Sequence, residues 1–412
     1  MGLSKLQELR TFIGTAFNTT FVNAATDAWN TTNAAKTRCT VIDEGALGQE
    51  GIDDESIHSR LYKKLPNHPG LRTGEMKWSM YADGAPSAVA PGDVGDFLEA
   101  AMGGMANPTN ARSMVATGTC STTNFTATSA DTYVVPGQAA LIGSKGDGKG
   151  GGEVKIITAV DSGGFQYYPA CAGAPASGDT AVFSSAAYLD EDATQKYVDT
   201  LRIGSDSADQ KQTVGGALTV EIEGTAAGEL PILTFTSMVA DHQYVEAAGD
   251  RAAFDHAAAA GGEDPAHDRA IGLVHIGDAQ ATARTSRKVS GVTITPNLEL
   301  IAQPEPGGVN GIGGWVKGGG VPEAECSILF DQDMPGLAND YNVGTAKSVI
   351  FQFGHEATKT IAFVMPSCYL ADLPIREDAD GLTAVKIKLR ADEDYDAGNT
   401  DLNRSALVIH RF

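Results

Sequence analysis

A chain of 412 residues that is 42% hydrophobic and 7% aromatic has the length for two or three domains and the material for their cores. Its formal charge of −22 excludes a surface that grips nucleic acid by neutralising phosphates. No run of 18 apolar residues occurs, which excludes a helical membrane span, and the opening MGLSKLQELRTFIG lacks the apolar h-region of a signal peptide.

In chain order, Leu6, Leu9, Phe12 and Ile13 recur at helical spacing, which predicts a short amphipathic helix or a packed arm over residues 1–35. Residues 41–70 are punctuated by Gly and Pro and read as one long loop. It carries the acids Asp53, Asp54 and Glu55 and the bases Arg60, Lys63 and Lys64. A loop of that length in a compact domain implies docking onto something else. Met76, Trp78 and Met80 then alternate with Glu75, Lys77 and Ser79, the period of a half-buried strand. Residues 91–105 read as a short helix. Val94, Phe97, Leu98 and Ala101 form its apolar stripe, Asp93 and Asp96 sit near its positive end, and Gly103 and Gly104 stop it.

Charge falls and Ser, Thr, Gly and Ala dominate over residues 110–188. NFTATS, AALIGS, GEVKIITAV, GFQYYPA and TAVFSSAAY are strand candidates. They predict a small β-barrel or sandwich inserted between the parts 1–109 and 189–412. The glycine-rich hairpin loop from Lys145 to Gly152 has neither GxxxxGK[ST] nor GxGxxG ahead of a helix, and a strand follows it. It is a turn rather than a phosphate cradle.

The clearest periodicity lies in VDTLRIGSDSADQKQTVGGALTVEIEGTAAGELPILTFTSM, residues 198–238. Leu218, Val220 and Ile222 point one way; Thr219, Glu221 and Glu223 point the other. Leu233 and Phe235 share a face of the return strand, and Pro231 sits at its start. With Leu201 and Ile203 this makes a three-strand antiparallel unit whose apolar face needs a cover. Residues 239–278 read as a loop with a short alanine-rich helix. Its histidines His242, His256 and His267 have no ligand spacing; His58 and His68, in the segment 41–70, read as solvated loop histidines, with ligand pairing between them as the alternative. After residue 283 strands return. Val349, Phe351 and Phe353 share one face, as do Ile361, Phe363 and Met365, and Val385, Ile387 and Leu389 opposite Lys386, Lys388 and Arg390. The segments PEPGGVNGIGGWVKGGGVPEAE and DLPIREDADGL between them read as a loop and an acidic turn. The five cysteines are scattered without CxxC, which argues against a zinc site or a dense disulfide framework; Cys120 and Cys171 are read as free thiols, with pairing as the alternative.

ALTVEIEGTAAGELPILTFTSMVA resembles the middle of the tail tube (major tail) proteins of long-tailed, siphovirus-like phages and viruses. Gly215 and Gly216 precede a strand, Glu229, Leu230 and Pro231 make the turn, and Met238, Val239 and Ala240 close the return strand. The long segment 41–70 is similar to a loop near the start of such proteins. The order of a strand ending in a polar proline break, an acidic Asp–Gly turn and a strand ending in RADED is similar to their end. The resemblance implies a mostly β, antiparallel β-sandwich fold with a flanking short helix, here with an inserted small β-domain. It implies a structural virion protein of the tail, assembled in the host cytoplasm. By the same resemblance, copies would form hexameric rings stacked into a tube, and the partners would be the chain itself, tail terminator and tail tip proteins, and the tape measure protein during assembly. The genomic DNA would pass through without specific binding. Asp53, Asp54, Glu55, Arg60, Lys63 and Lys64 would then form an inter-ring loop. Glu221 and Glu223 would face the lumen, where acidity keeps a polyanion from sticking.

No nucleophile elbow, catalytic triad, paired metal ligands or cofactor fingerprint appears, so neither catalysis nor a cofactor or metal is expected. A major capsid protein fits the length but lacks a spine helix. A secreted β-sandwich adhesin is disfavoured by the missing signal sequence.

Overall fold

The computed structural model describes residues 8–18, 21, 35–37, 41–43, 48–52, 68–82, 84, 94–108, 113–143, 152–171, 173–190, 193–203, 210–223, 231–245, 273–278, 285–329, 334–355, 359–379, 382–392 and 405–412. The protein is mostly β, in antiparallel sheets, with two α-helices among the described residues.

The 14-residue strand Gln210–Glu223 is the spine of the first half. A single register carries it from Gln210↔Val245 to Glu223↔Ile232 along the strands Ile232–Val239 and Asp241–Val245. Its other edge changes partner midway. The first half pairs with Tyr197–Ile203, which pairs in turn with Glu8–Gly14; the far end meets Thr285–Thr295 at Ile222↔Ile294. The change falls at Gly215 and Gly216. Gly215 has φ +61, a left-handed conformation that favours glycine. The pair therefore lies inside the strand rather than ahead of it, and it marks a bend. Asp199 Oδ1 accepts from the Gly215 N–H at 2.8 Å, and Trp315 Nε1 donates to the Gly215 carbonyl at 2.8 Å, so the backbone groups freed by the bend are satisfied. Leu218, Val220 and Ile222 are buried, as are Leu233 and Phe235 on the return strand.

His68–Tyr81 pairs with Ile232–Val239 and buries Met76, Trp78 and Met80 as the alternation requires. Helix Val94–Met102 lays Val94, Phe97, Leu98 and Ala101 on this sheet. Phe97 meets Trp78 edge-on at 5.5 Å and Phe235 at 5.4 Å.

In the second half, pairings close on themselves. Leu273–Asp278 pairs with Thr285–Thr295, then follow Glu323–Leu329, Leu382–Ala391, Ile361–Leu370 and Lys347–Phe353, which returns to Leu273–Asp278. Such a ring of pairings removes sheet edges and sends alternate residues inward. Val292, Cys326, Ile387, Phe363 and Phe351 belong to one core with Trp78 and Phe97.

The sheet of residues 113–183 is separate, in the order Ser113–Val115, Thr180–Phe183, Ala139–Gly143, Gly152–Asp161, Gly164–Tyr168, Asn124–Thr126. A Thr117 N–H to Thr126 O bond of 3.0 Å links its two ends. One face holds Phe125, Phe165, Tyr167 and Phe183 as a core of its own. The other face, with Leu141, Val154, Ile156 and Tyr168, packs on Ile350, Val364, Val408 and Phe412 of the main body. Strand Ser185–Leu189 belongs to the main body, between Gly103–Ala106 and Val408–Arg411. Gln352 fastens the two bodies. Its Nε2 donates to the Gly152 carbonyl at 3.0 Å and the Gly354 carbonyl at 2.9 Å, and its Oε1 accepts from the Val154 N–H at 2.9 Å.

Several expectations need correction. Residues 8–14 form a strand rather than the helix that the spacing allows; Leu9 turns fully inward, Phe12 and Ile13 are half-buried, and Leu6 lies outside the described residues. Within the segment read as one long loop, Val41–Asp43 and Gly48–Ile52 are strands paired along His68–Tyr81. The glycine-rich segment after residue 298 is a hairpin, Glu299–Val309 with Ile312–Gly318. Its turn residues Asn310 (φ 51) and Gly311 (φ 81) are the pair that a tight two-residue hairpin turn favours. The acidic turn contains the strand Ile375–Ala379, and the strand Ile361–Leu370 runs through Pro366. Residues 241–245 and 273–278 are strands, and the alanine-rich helix expected between them lies outside the described residues. Helix Met334–Val343 was not foreseen, although Pro335 near its start and Gly344 (φ +71) past its end are its proper signals.

Two outcomes follow from this packing. A Cβ on Gly216 would lie 2.3 Å from Ser237 Oγ and 2.5 Å from the Val198 carbonyl oxygen, whereas one on Gly143 meets nothing within 4 Å. Gly216→Ala should cost about 2–3 kcal/mol by denaturant unfolding and Gly143→Ala about 0.5 kcal/mol or less. Gln352→Leu keeps the volume but strands three buried backbone groups. It should cost about 3 kcal/mol, and hydrogen exchange at Val154 should accelerate before exchange in the main core does.

Candidate functional site

The face opposite the Leu218–Ile222 core side is polar across three strands. Thr219 lies beside Thr236, which lies beside Lys77; Glu221 lies beside Thr234, which lies beside Ser79. Ser79 Oγ and Thr234 Oγ1 are hydrogen-bonded at 3.0 Å. Glu221 is exposed on this face. Glu223 continues the strand opposite Ile232, but its side chain lies outside the described residues, as do Asp53, Asp54, Glu55, Arg60, Lys63 and Lys64 altogether.

Glu221 does not stand on a flat wall. With Thr219 it lines a polar cleft of ≈ 510 Å³ whose other side carries Asn297, Glu299, Glu323 and Arg390. The floor is set by a close approach of two loops. Asn297, in the left-handed region at φ 54, donates through Nδ2 to the Val321 carbonyl at 2.8 Å. A Cβ on Gly320 would fall 1.5 Å from the Asn297 carbonyl oxygen, so only glycine allows this approach. Beyond the cleft the basic row of the strand Leu382–Ala391 meets the acidic row of its neighbour. Lys388 pairs with Glu323 at 2.9 Å, and Lys386 pairs with Glu325. Hydrogen bonds from Lys386 to Glu325 and from Lys388 to Glu323 raise both amines above the usual lysine value.

A second, mainly apolar cavity of ≈ 270 Å³ shares Leu298 and residues 319–321 with the cleft and is lined by Lys317. Sequence reading missed Asn297, Glu299, Lys317 and Glu323. The glycine run ahead of Val321 was the available signal, but nothing in it says which loop it must touch.

The described residues contain no group of three His, Cys, Asp or Glu side chains placed to hold a metal ion. Cys120, Cys171, Cys326 and Cys368 are buried thiols outside any disulfide. Tyr167 donates to Cys171 Sγ at 3.3 Å, and burial pushes the Cys171 and Cys326 thiols up, away from the reactive thiolate. Ser184 Oγ and His410 Nδ1 are 3.0 Å apart, the pairing of a nucleophile with its base, yet they are 0% and 1% exposed. Ser184 Oγ also accepts from the Ala139 N–H at 3.1 Å, so the pair joins the two bodies rather than meeting a substrate.

No protein-family model matches the chain, and no curated protein matches it.

Burial lowers the His410 pKa to about 3, against an ordinary value of 6.5. The unfolded chain takes a proton below pH 6.5 that the native protein excludes. The stability from neutral burial is therefore complete above that pH and is lost as pH falls. Unfolding free energy should drop by about 1.4 kcal/mol per pH unit from this group between pH 6 and 4. His410→Asn should be less stable at pH 7 and should show a slope smaller by that amount in urea titrations run across this range.

Proposed function

We propose that the chain is a structural subunit that joins copies of itself into rings and stacks them into an acidic-walled tube, as its resemblance to tail tube proteins implies. The observation that carries this reading is the set of open sheet edges. Among the described residues Ala35–Thr37, Gly103–Ala106 and Ile375–Ala379 each pair with strands on one side only. A strand that pairs on one side only is a template for strand addition, and a closed ring of subunits covers such edges. Head-to-tail stacking of rings is heterologous and gives an open filament.

The polar face carrying Thr219, Glu221, Thr234 and Thr236 is then the wall, with Glu221 and Glu223 as its lumen acids. A chain with 52 acidic and 30 basic residues repels a polyanion from such a wall, so the genome slides without being held. Tail terminator, tail tip and tape measure proteins would meet the two ends and the bore. The segment that includes Asp53, Asp54, Glu55, Arg60, Lys63 and Lys64 would reach the next ring.

Negative-stain microscopy of the purified chain should show rings or tubes. Closed shells would favour a capsid role, and dispersed monomers at high concentration would overturn self-assembly. Glu221→Lys with Glu223→Lys leaves the core face of the strand intact. The double variant should still assemble but pass DNA more slowly at low salt than at high salt, because salt screens lysine–phosphate attraction.

A further inference from the structure

The apolar cavity lies where the C-terminal end of helix Val94–Met102, the strand Ile312–Gly318 and residues 391, 392 and 406 meet. Its wall includes Met102, Leu189, Leu298 and Val321, and the charged groups lining it are Lys317, Asp190 and Asp392. Lys317 Nζ donates to the Ala100 carbonyl at 2.8 Å, inside the last turn of the helix. That contact fixes the amine beside the end of the helix, on a residue that lines the cavity. It uses one N–H and leaves the lone pair of a neutral amine free.

We propose that Lys317 is a reactive amine and that its cavity takes a small apolar aldehyde or ketone, held as an imine. The Nζ lone pair adds to the carbonyl carbon. The carbonyl π electrons move to oxygen, which takes a proton, and loss of water from the carbinolamine gives the C=N bond. Amine and carbonyl compound thus become imine and water, with no oxidant or reductant. The limiting requirement is a neutral amine, since a protonated lysine has no lone pair. Burial lowers the Lys317 pKa to about 8, partly opposed by Asp190, which favours the charged form. At pH 7.5 about a quarter of the amine is neutral, against about 0.1% for an ordinary lysine. The apolar wall selects a hydrocarbon tail, and the volume of ≈ 270 Å³ limits the ligand to a small molecule.

The test uses the whole chain with butanal and cyanoborohydride, which reduces the imine to a stable secondary amine, followed by peptide mass mapping. Lys317 should be modified first, at least about tenfold faster than the half-exposed Lys77 and Lys386, with a rate midpoint near pH 8. Val321→Trp, which fills the cavity, should slow Lys317 alone. Modification of Lys317 no faster than Lys77, or a midpoint near pH 10, overturns the proposal, and both readouts come from the unmutated chain.

Discussion

The fold turns on the bend at Gly215 and Gly216. It lets one strand serve two neighbouring sheets, and the whole first half takes its register from that strand. A bend in the middle of a ladder frees backbone groups that must find partners in a dry setting. Asp199, itself buried with its pKa raised by desolvation and opposed by the bonds it accepts from Asn18 and Gly215, supplies an acceptor. Trp315 supplies a donor from the hairpin that packs over the bend. Asn310, at the tip of that hairpin, donates to the Ala240 carbonyl at 2.9 Å, between the strands Ile232–Val239 and Asp241–Val245. The hairpin is thereby a brace for the bend, not a decoration on it.

A second constraint fixes the small sheet to the body. Every residue of the strand Lys347–Phe353 is buried. Val349, Phe351 and Phe353 fill the closed ring of strands, while Ile350 faces Leu141, Val154 and Ile156 of the small sheet. Gln352 lies on that second face and completes the edge of the small sheet with its amide. A polar side chain there is tolerable because both N–H groups of its amide donate and its oxygen accepts from backbone. The neutral pair of Ser184 and His410 sits at the same seam, so the inserted sheet and the body share a core as well as hydrogen bonds.

The exposed surfaces follow from what the core leaves over. Strands that bury one face must present the other, and here those faces carry threonine, glutamate and lysine. On the strands Glu323–Leu329 and Leu382–Ala391 opposite charges neutralise one another across the ladder, and solvent screening keeps these exposed pairs weak. Around Glu221 the facing groups Glu299 and Glu323 share the cleft with Arg390, so the acidity of the polar wall is local and partly compensated.

The sequence by itself determined the class of fold and most inward-facing residues. A strand half in water must alternate, so Met76–Trp78–Met80, Leu218–Val220–Ile222 and Val385–Ile387–Leu389 were legible without coordinates. The helix Val94–Met102 was legible because its apolar stripe and its glycine stop agree. Tertiary structure alone decided the rest. Periodicity is silent where a strand is glycine-rich, as in Ile312–Gly318, because no alternation survives there; in Lys347–Phe353 it picks out Val349, Phe351 and Phe353 but cannot say that the opposite face is buried as well. Short strands such as Val41–Asp43 exist only because His68–Tyr81 offers them an edge. The cleft and the cavity arise from loops near residues 297 and 320 that the sheet brings together. Gly320 has no side chain because of a carbonyl 23 residues away in sequence, and a distance of that kind is not written in local pattern.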